Sequence, residues 1–197
     1  MTVSTGDSER LIKELQDSYA SYLAALGKVI NGVSVTALID ALNHKHANPI
    51  AKALGLMMPN PEAHAALPVL LDWLIVQSPM YSDVLEALVR SKDAVLPLLV
   101  ERLDDASIKD DDEAVRNLLD LGSKLEGESL KKVIDKCIDL AKSKNEHVRE
   151  AAVDALWRIA LPEGARAAEI LLTLANSDPS DSVRKASKEA LARLGYR

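Results

Sequence analysis

Phenylalanine is absent from this 197-residue sequence, and aromatic residues of all kinds make up only 3%. A β-sheet core draws on aromatic and β-branched side chains, so this shortage argues against one. Cysteine is nearly missing too, with Cys137 standing alone. One thiol cannot close an internal disulfide, and the expected setting is reducing and cytoplasmic rather than secreted. Long apolar runs are lacking as well. The strongest, ALPVLLDWLIV from Ala66 to Val76, is too short to cross a bilayer and carries Asp72 in its middle, so no membrane role is expected. The opening MTVSTGDSER has neither the basic start nor the apolar core of a secretory signal. Positive charge is in deficit, with a formal net charge of −6 and a pI of 5.3, which argues against nucleic acid as a partner.

What the sequence does contain is alanine, leucine and mixed charge: 48% of residues are hydrophobic and 27% charged, a balance that suits helices packed closely over small side chains. Polar, Gly and Pro breaks divide the chain into amphipathic segments that come in twos. The first is long, with Leu11, Leu15, Tyr19, Tyr22, Leu26 and Val29 at three- and four-residue steps on one stripe. A short helix over Val35 to Asn43 follows it. The spacing then predicts helices over Asn48 to Met57, Glu62 to Gln77, Ser82 to Arg90, Asp93 to Leu103 and Asp112 to Leu125. Four more are expected over Ser129 to Ser143, Asn145 to Ile159, Glu163 to Asn176 and Asp181 to Leu194.

Two of these segments nearly repeat each other. EHVREAAVDALWRI, Glu146 to Ile159, matches DSVRKASKEALARL, Asp181 to Leu194, at an offset of 35 residues: Val148, Arg149, Ala151, Ala155, Leu156 and Arg158 recur as Val183, Arg184, Ala186, Ala190, Leu191 and Arg193. AVRNLL, Ala114 to Leu119, carries another Val-Arg pair at Val115 and Arg116. Taking Asn48, Asp83, Ala114, His147 and Ser182 as equivalent positions, the steps are 35, 31, 33 and 35 residues. A period in that range marks stacked supersecondary units, none of which can bury its apolar face alone.

A polar cap, then Val-Arg, small residues and a closing Ala-Leu resemble HEAT repeats, and more closely the HEAT-like repeats named after phycobilisome lyases. The likeness is best over Asp112 to Leu194. It implies an all-α, right-handed α-α superhelix, an α-solenoid of about five to six helix pairs. Residues 1–197 are read as one domain, with an N-terminal helix pair or cap at 8–46, divergent repeats at 47–111 and clear ones at 112–197. An arginine that recurs with the architecture is expected to serve it, so Arg116, Arg149 and Arg184 are read as structural ties between units.

Residues that could carry chemistry are few. His44 and His46 in NHKHAN, and His64, lack converging ligands for a metal, and no cofactor is expected. The stretch ERLDDASIKDDDEAVR holds seven carboxylates against three cations but lacks the spacing and the glycine of a calcium loop, so it reads as a solvated loop and helix start. Cys137 lies on the apolar stripe of its helix, which makes it a core residue rather than a nucleophile.

In HEAT-like stacks the second helix of each pair lines the concave surface. That implication puts Asp72, Trp73 and Val76 on one ridge with Glu101 and Arg102, then Lys132, Asp135, Lys136 and Asp139, then Arg166, Glu169 and Thr173. A mixed-charge ridge of this kind suits a protein or peptide partner, and the reading is a non-enzymatic scaffold or adaptor. The resemblance also implies two enzymatic alternatives. One is a bilin lyase or chaperone-like protein. The other is a HEAT-like alkylpurine DNA glycosylase with Asp72 beside Trp73, which the acidic charge disfavours. The protein is expected to be a monomer, or a homodimer through the long N-terminal segment Ser8 to Ile30.

Overall fold

A computed structural model describes residues 6–10, 12, 29–42, 48–76, 81–125, 130–159 and 164–196, and all the regular structure among them is helical. Most of the expected segment Ser8 to Ile30, and His44 and His46, lie outside the described residues. The chain forms two compact units, Met1–Val95 and Leu96–Arg197.

The first unit contains α1 (Val35–Leu42), α2 (Asn48–Met57), a 3₁₀ turn over Pro61–Ala66, α3 (Leu67–Ile75) and α4 (Tyr81–Arg90), with a second 3₁₀ turn over Lys92–Ala94. Here α2 packs along α4, and α3 closes against α4. The expected helix from Glu62 breaks into a 3₁₀ turn followed by α3, because Pro68 has no N–H to donate and is tolerated only in a helix's first turn. Asn60 caps the 3₁₀ turn, its Oδ1 accepting from the Glu62 N–H at 3.1 Å, and half-buried His64 donates from Nε2 to the Met58 carbonyl at 3.0 Å. The segment expected from Asp93 also starts late, with Pro97 in the first turn of its helix.

The second unit contains α5 (Leu96–Asp104), α6 (Asp112–Ser123), α7 (Leu130–Leu140), α8 (Glu146–Ile159), α9 (Gly164–Ser177) and α10 (Asp181–Arg193). It has two rows. The first helices α6, α8 and α10 pack side by side, and the second helices α5, α7 and α9 form the other row. The core lies between the rows and is aliphatic, including Leu99, Val115, Leu118, Leu121, Val133, Ile134, Val148, Leu156 and Leu171, all buried. At about 25 cal/mol per Å² of apolar surface removed from water, burial of this stripe is what holds otherwise marginal helices in place.

The helix caps fix the repeat register. Asp111 Oδ1 accepts from the Glu113 and Ala114 N–H groups at 3.2 and 3.0 Å, and Asn145 Oδ1 accepts from the His147 N–H at 3.0 Å. Ser180 occupies the same cap position before α10. The caps at 111, 145 and 180 are therefore 34 and 35 residues apart. Moving 34 residues on from α6 puts buried Ala114, Val115, Leu118 and Leu121 on buried Val148, Arg149, Ala152 and Ala155. Val115 thus holds the place of Arg149, and exposed Arg116 holds the place of Glu150. The expected equivalence of Arg116 with Arg149 and Arg184 is corrected by one residue: the Val-Arg pair at 115–116 lies out of phase with the other two.

Arg149 is a buried clamp. Its Nε and Nη2 donate to the two carboxylate oxygens of Asp178 at 2.8 and 2.9 Å, and Nη1 donates to the carbonyls of Ser143 and Lys144 at 2.9 and 3.1 Å. The side chains are 9% and 2% exposed, so the fork joins the loop before α8 to the loop before α10 away from water. Asp178 Oδ1 also accepts from the Ser180 N–H at 2.9 Å. Burial alone would raise the Asp178 carboxyl, but the Arg149 hydrogen bonds, the Ser180 amide and the charges of Arg149 and Arg184 outweigh it and hold the group below its ordinary 3.8. Arg184 donates to its own loop at the Asp178 carbonyl and pairs with Asp181.

One repeat earlier both members of the clamp are replaced together. Val115 stands where Arg149 would be, and Ser143, two residues before its cap as Asp178 is before Ser180, accepts the Asn145 N–H on its Oγ at 3.2 Å. There the loop-to-loop tie is made by Asn145 Nδ2, which donates to the Asp110 carbonyl at 3.2 Å. Gly122 lets α6 approach α7 closely, since a Cβ there would lie 2.8 Å from Val133 Cγ1. Gly195, at φ 84°, ends α10 with the Tyr196 N–H donating back to the Leu191 carbonyl at 3.0 Å.

Candidate partner-docking surface

In the second unit the row α5, α7, α9 buries one face of each helix and leaves the other in water. On α7, Val133, Ile134, Cys137 and Leu140 turn inward, while Lys131, Lys132 and Asp139 are exposed and Asp135 and Lys136 half-buried. On α9, Ala167, Ala168, Leu171, Leu174 and Ala175 are buried, and Arg166, Glu169, Leu172 and Thr173 are exposed. Glu101 on α5 is exposed and Arg102 half-buried.

Residues about one repeat apart on this face are joined across the helices. Lys136 Nζ meets Asp104 Oδ1 at 2.5 Å, and Arg166 Nη2 meets Asp135 Oδ1 at 2.7 Å. The Lys136 hydrogen bond outweighs desolvation and, assisted by the charges of Lys136 and Lys109, holds the Asp104 carboxyl below its ordinary value. Pairs this exposed are worth about 0–1 kcal/mol each, so they set the register of the charges more than they hold the fold. Of the expected ridge residues, Asp135, Lys136 and Arg166 therefore belong to a ladder, and Lys132 and Glu169 flank it. Asp72 and Trp73 lie on α3 in the first unit, Asp72 exposed and Trp73 half-buried, with Val76 beside them 76% exposed.

Two features escaped the sequence reading. Leu172 is 47% exposed, a leucine on the charged side of α9. Its signal was the doublet Leu171-Leu172, of which only Leu171 fits the apolar stripe. The second feature is Trp157, half-buried on the first-helix row, where its Nε1 donates to Asp154 Oδ1 at 2.9 Å. Its signal is a tryptophan at the position where the neighbouring repeats carry Ser123 and Ala192.

Cys137 is fully buried, and burial pushes its thiol up to about 12, which removes thiolate chemistry at neutral pH. No group of three or more His, Cys, Asp and Glu side chains among the described residues could hold a metal ion. The acidic stretch is taken up by caps and turns: Asp111 caps α6, and Asp105 Oδ1 accepts from the Ser107 N–H and Oγ at 2.9 and 2.7 Å. No helix among the described residues is long and apolar enough to cross a membrane.

The two rows, the capped register and the inter-repeat ladder are the features by which helical repeats are compared. Residues 96–192 match the HEAT-repeat family model. The matched residues coincide with the second unit but for its last residues. No curated protein matches the chain. Among solved structures, the chain is similar to computationally designed armadillo repeat proteins for modular peptide recognition, at 18% identity and a TM-score of 0.46, over 95% of this chain and 99% of the other. It is also similar to the archaeal HEAT-like repeats protein from Thermococcus onnurineus NA1, at 16% identity and a TM-score of 0.43, over 98% and 88%.

Proposed function

We propose that the protein is a non-enzymatic helical-repeat scaffold that binds a protein or peptide partner on the second-helix row of its HEAT repeats. The observation that carries this is exposed Leu172, set in a row of fixed charges with Lys132 and Glu169 beside the Asp135–Arg166 pair. A single apolar anchor within a polar rim suits an extended or helical segment, the anchor supplying affinity and the charges supplying register. Within HEAT-like repeats, the in-phase Val-Arg pairs at 148–149 and 183–184 favour the subtype named after phycobilisome lyases. The fully buried thiol suits a cytoplasmic site of action.

The test is the double variant Lys132→Glu with Leu172→Asp, in full-length tagged protein used to capture partners from its native lysate. Both side chains are exposed, so the melting midpoint and helicity should stay at wild-type values while the captured partner falls at least about tenfold. Undiminished capture contradicts the assignment of the face, and a fall in melting shows that the two residues serve the fold.

A further inference from the structure

The second-helix row repeats with a step of 34 residues. Buried Val133, Ile134, Cys137, Leu140 and Ala141, on α7 and the turn after it, return as buried Ala167, Ala168, Leu171, Leu174 and Ala175 on α9. The same step carries the residues by which each helix receives the next. Asp104 of α5 takes Lys136 of α7, and Asp135 of α7 takes Arg166 of α9. Thirty-four residues on from Asp104 and Lys136 stand Ile138 and Ile170, both half-buried, so one repeat later aliphatic residues hold the two places of that ion pair. The helix α7 therefore offers a carboxylate at 135 and an isoleucine at 138, and α9 answers with a cation at 166 and an isoleucine four residues later at 170.

Among the described residues α9 is the last helix of this row, and it repeats the offering half of the pattern. One step on from Asp135 and Ile138 are Glu169 and Leu172, both exposed. Arg166 and Glu169 are the only charged residues of α9, and Arg166 is turned back to Asp135, so the charge that α9 presents beside Leu172 is a single carboxylate. The first-helix row ends differently. Val153 of α8 is buried and lines the space against α10, and its counterpart on α6, Leu119, is buried too. The counterpart on α10 is exposed Lys188, which closes that row with charge. The edge made by α9 and α10 thus keeps an apolar contact on the second-helix row alone, which fits one further helix rather than a helix pair.

We infer that Glu169 and Leu172 receive one amphipathic helix of a partner protein, laid along α9 as α9 is laid along α7, with a lysine or arginine on Glu169 and an aliphatic residue four positions later on Leu172. Residues four apart share one face of a helix, so both contacts are made at once. The inference rests on the proposed docking face and narrows it: the partner segment is helical and brings the positive charge.

The probe is a blocked alanine-based peptide, AQAAARAAAIAAAQA, which sets an arginine four residues before an isoleucine; its binding to the full-length protein is followed by the fluorescence anisotropy of a labelled copy. Saturable binding is expected. Leu172→Ala should weaken it about tenfold and Glu169→Gln about fivefold, the latter being what one exposed ion pair carries. Glu169→Arg should reject this peptide and accept the version with glutamate in place of the arginine, an exchange of charge that a structural role for Glu169 would not produce. A peptide with proline in place of the central alanine, which cannot form the helix, should not bind. No saturable binding, equal binding of the proline peptide, or indifference of Glu169→Arg to the peptide's charge would each overturn the inference. So would self-association of the protein that Leu172→Ala abolishes, since the occupant would then be a second copy. Partner capture from lysate separates this inference from the reading it rests on: if Lys132→Glu with Leu172→Asp loses the partner and Glu169→Arg retains it, the face stands and the cationic helix falls.

Discussion

Asp178→Ala lowers the unfolding free energy by about 3 kcal/mol, because it strands the Arg149 charge where 9% of its side chain meets water. In a protein of this size that corresponds to a fall of ~10 °C in melting midpoint. The same surroundings predict a partial cure. Replacing both partners as the preceding repeat does, with Arg149→Val and Asp178→Ser, removes the buried charge and leaves a hydroxyl to take the Ser180 N–H, as Ser143 takes that of Asn145. A buried ion pair is worth little more than a well-packed apolar substitute, so the double variant should melt within ~3 °C of wild type and well above Asp178→Ala. Thermal denaturation of the three proteins decides it; a double variant as unstable as the single one contradicts the equivalence. The pH dependence has a definite sign. The folded carboxyl sits below its ordinary 3.8, so the clamp contributes fully above that value and is lost as pH falls through the folded pKa. The gap between wild type and Asp178→Ala should be widest near neutrality and close in strong acid.

Gly122→Val should cost about 3 kcal/mol by overpacking, since even the first added carbon would lie 2.8 Å from Val133 Cγ1, with Leu99 Cδ2 at 3.6 Å behind it. The close approach of α6 to α7 can be separated from a helix-propensity effect by adding Val133→Ala, which vacates the volume. The double variant should be more stable than the sum of the two single costs predicts, by at least ~1 kcal/mol in a chemical-denaturation cycle. Strict additivity would show that Gly122 is present for some other reason.

How much of this could be read from the chain differs from residue to residue. The helix pairs were legible because apolar residues at three- and four-residue steps have no other regular use, and the later helices begin within a residue or two of the expected places. The second helices of the early repeats begin late because Pro68 and Pro97 cannot sit beyond a first turn, a signal that was present but outweighed by periodicity. The register of α6 was misread for a subtler reason. Val115-Arg116 copies the dipeptide of Val148-Arg149, yet the Asp111 cap shows that the true repeat is 34 residues and that Val115 is the residue turned inward. A dipeptide match weighs less than the phase of a whole apolar face.

The proposed docking surface was legible in part. Lys132, Asp135, Lys136, Arg166 and Glu169 fall on the solvent side of the second-helix row, as helical phase alone requires. Which of them are joined could not be read, because the pairs Asp104–Lys136 and Asp135–Arg166 depend on how adjacent helices are staggered.

If the second-helix row of the second unit is where a partner docks, as proposed, the most direct measurement is site-specific photo-crosslinking. A photoreactive phenylalanine analogue is placed at Leu172, and in a separate protein at exposed Lys185 on α10, and each is irradiated in native lysate. The account predicts a discrete, salt-sensitive adduct from position 172 that is absent from position 185. No adduct at 172, or the same adducts from both positions, would contradict it.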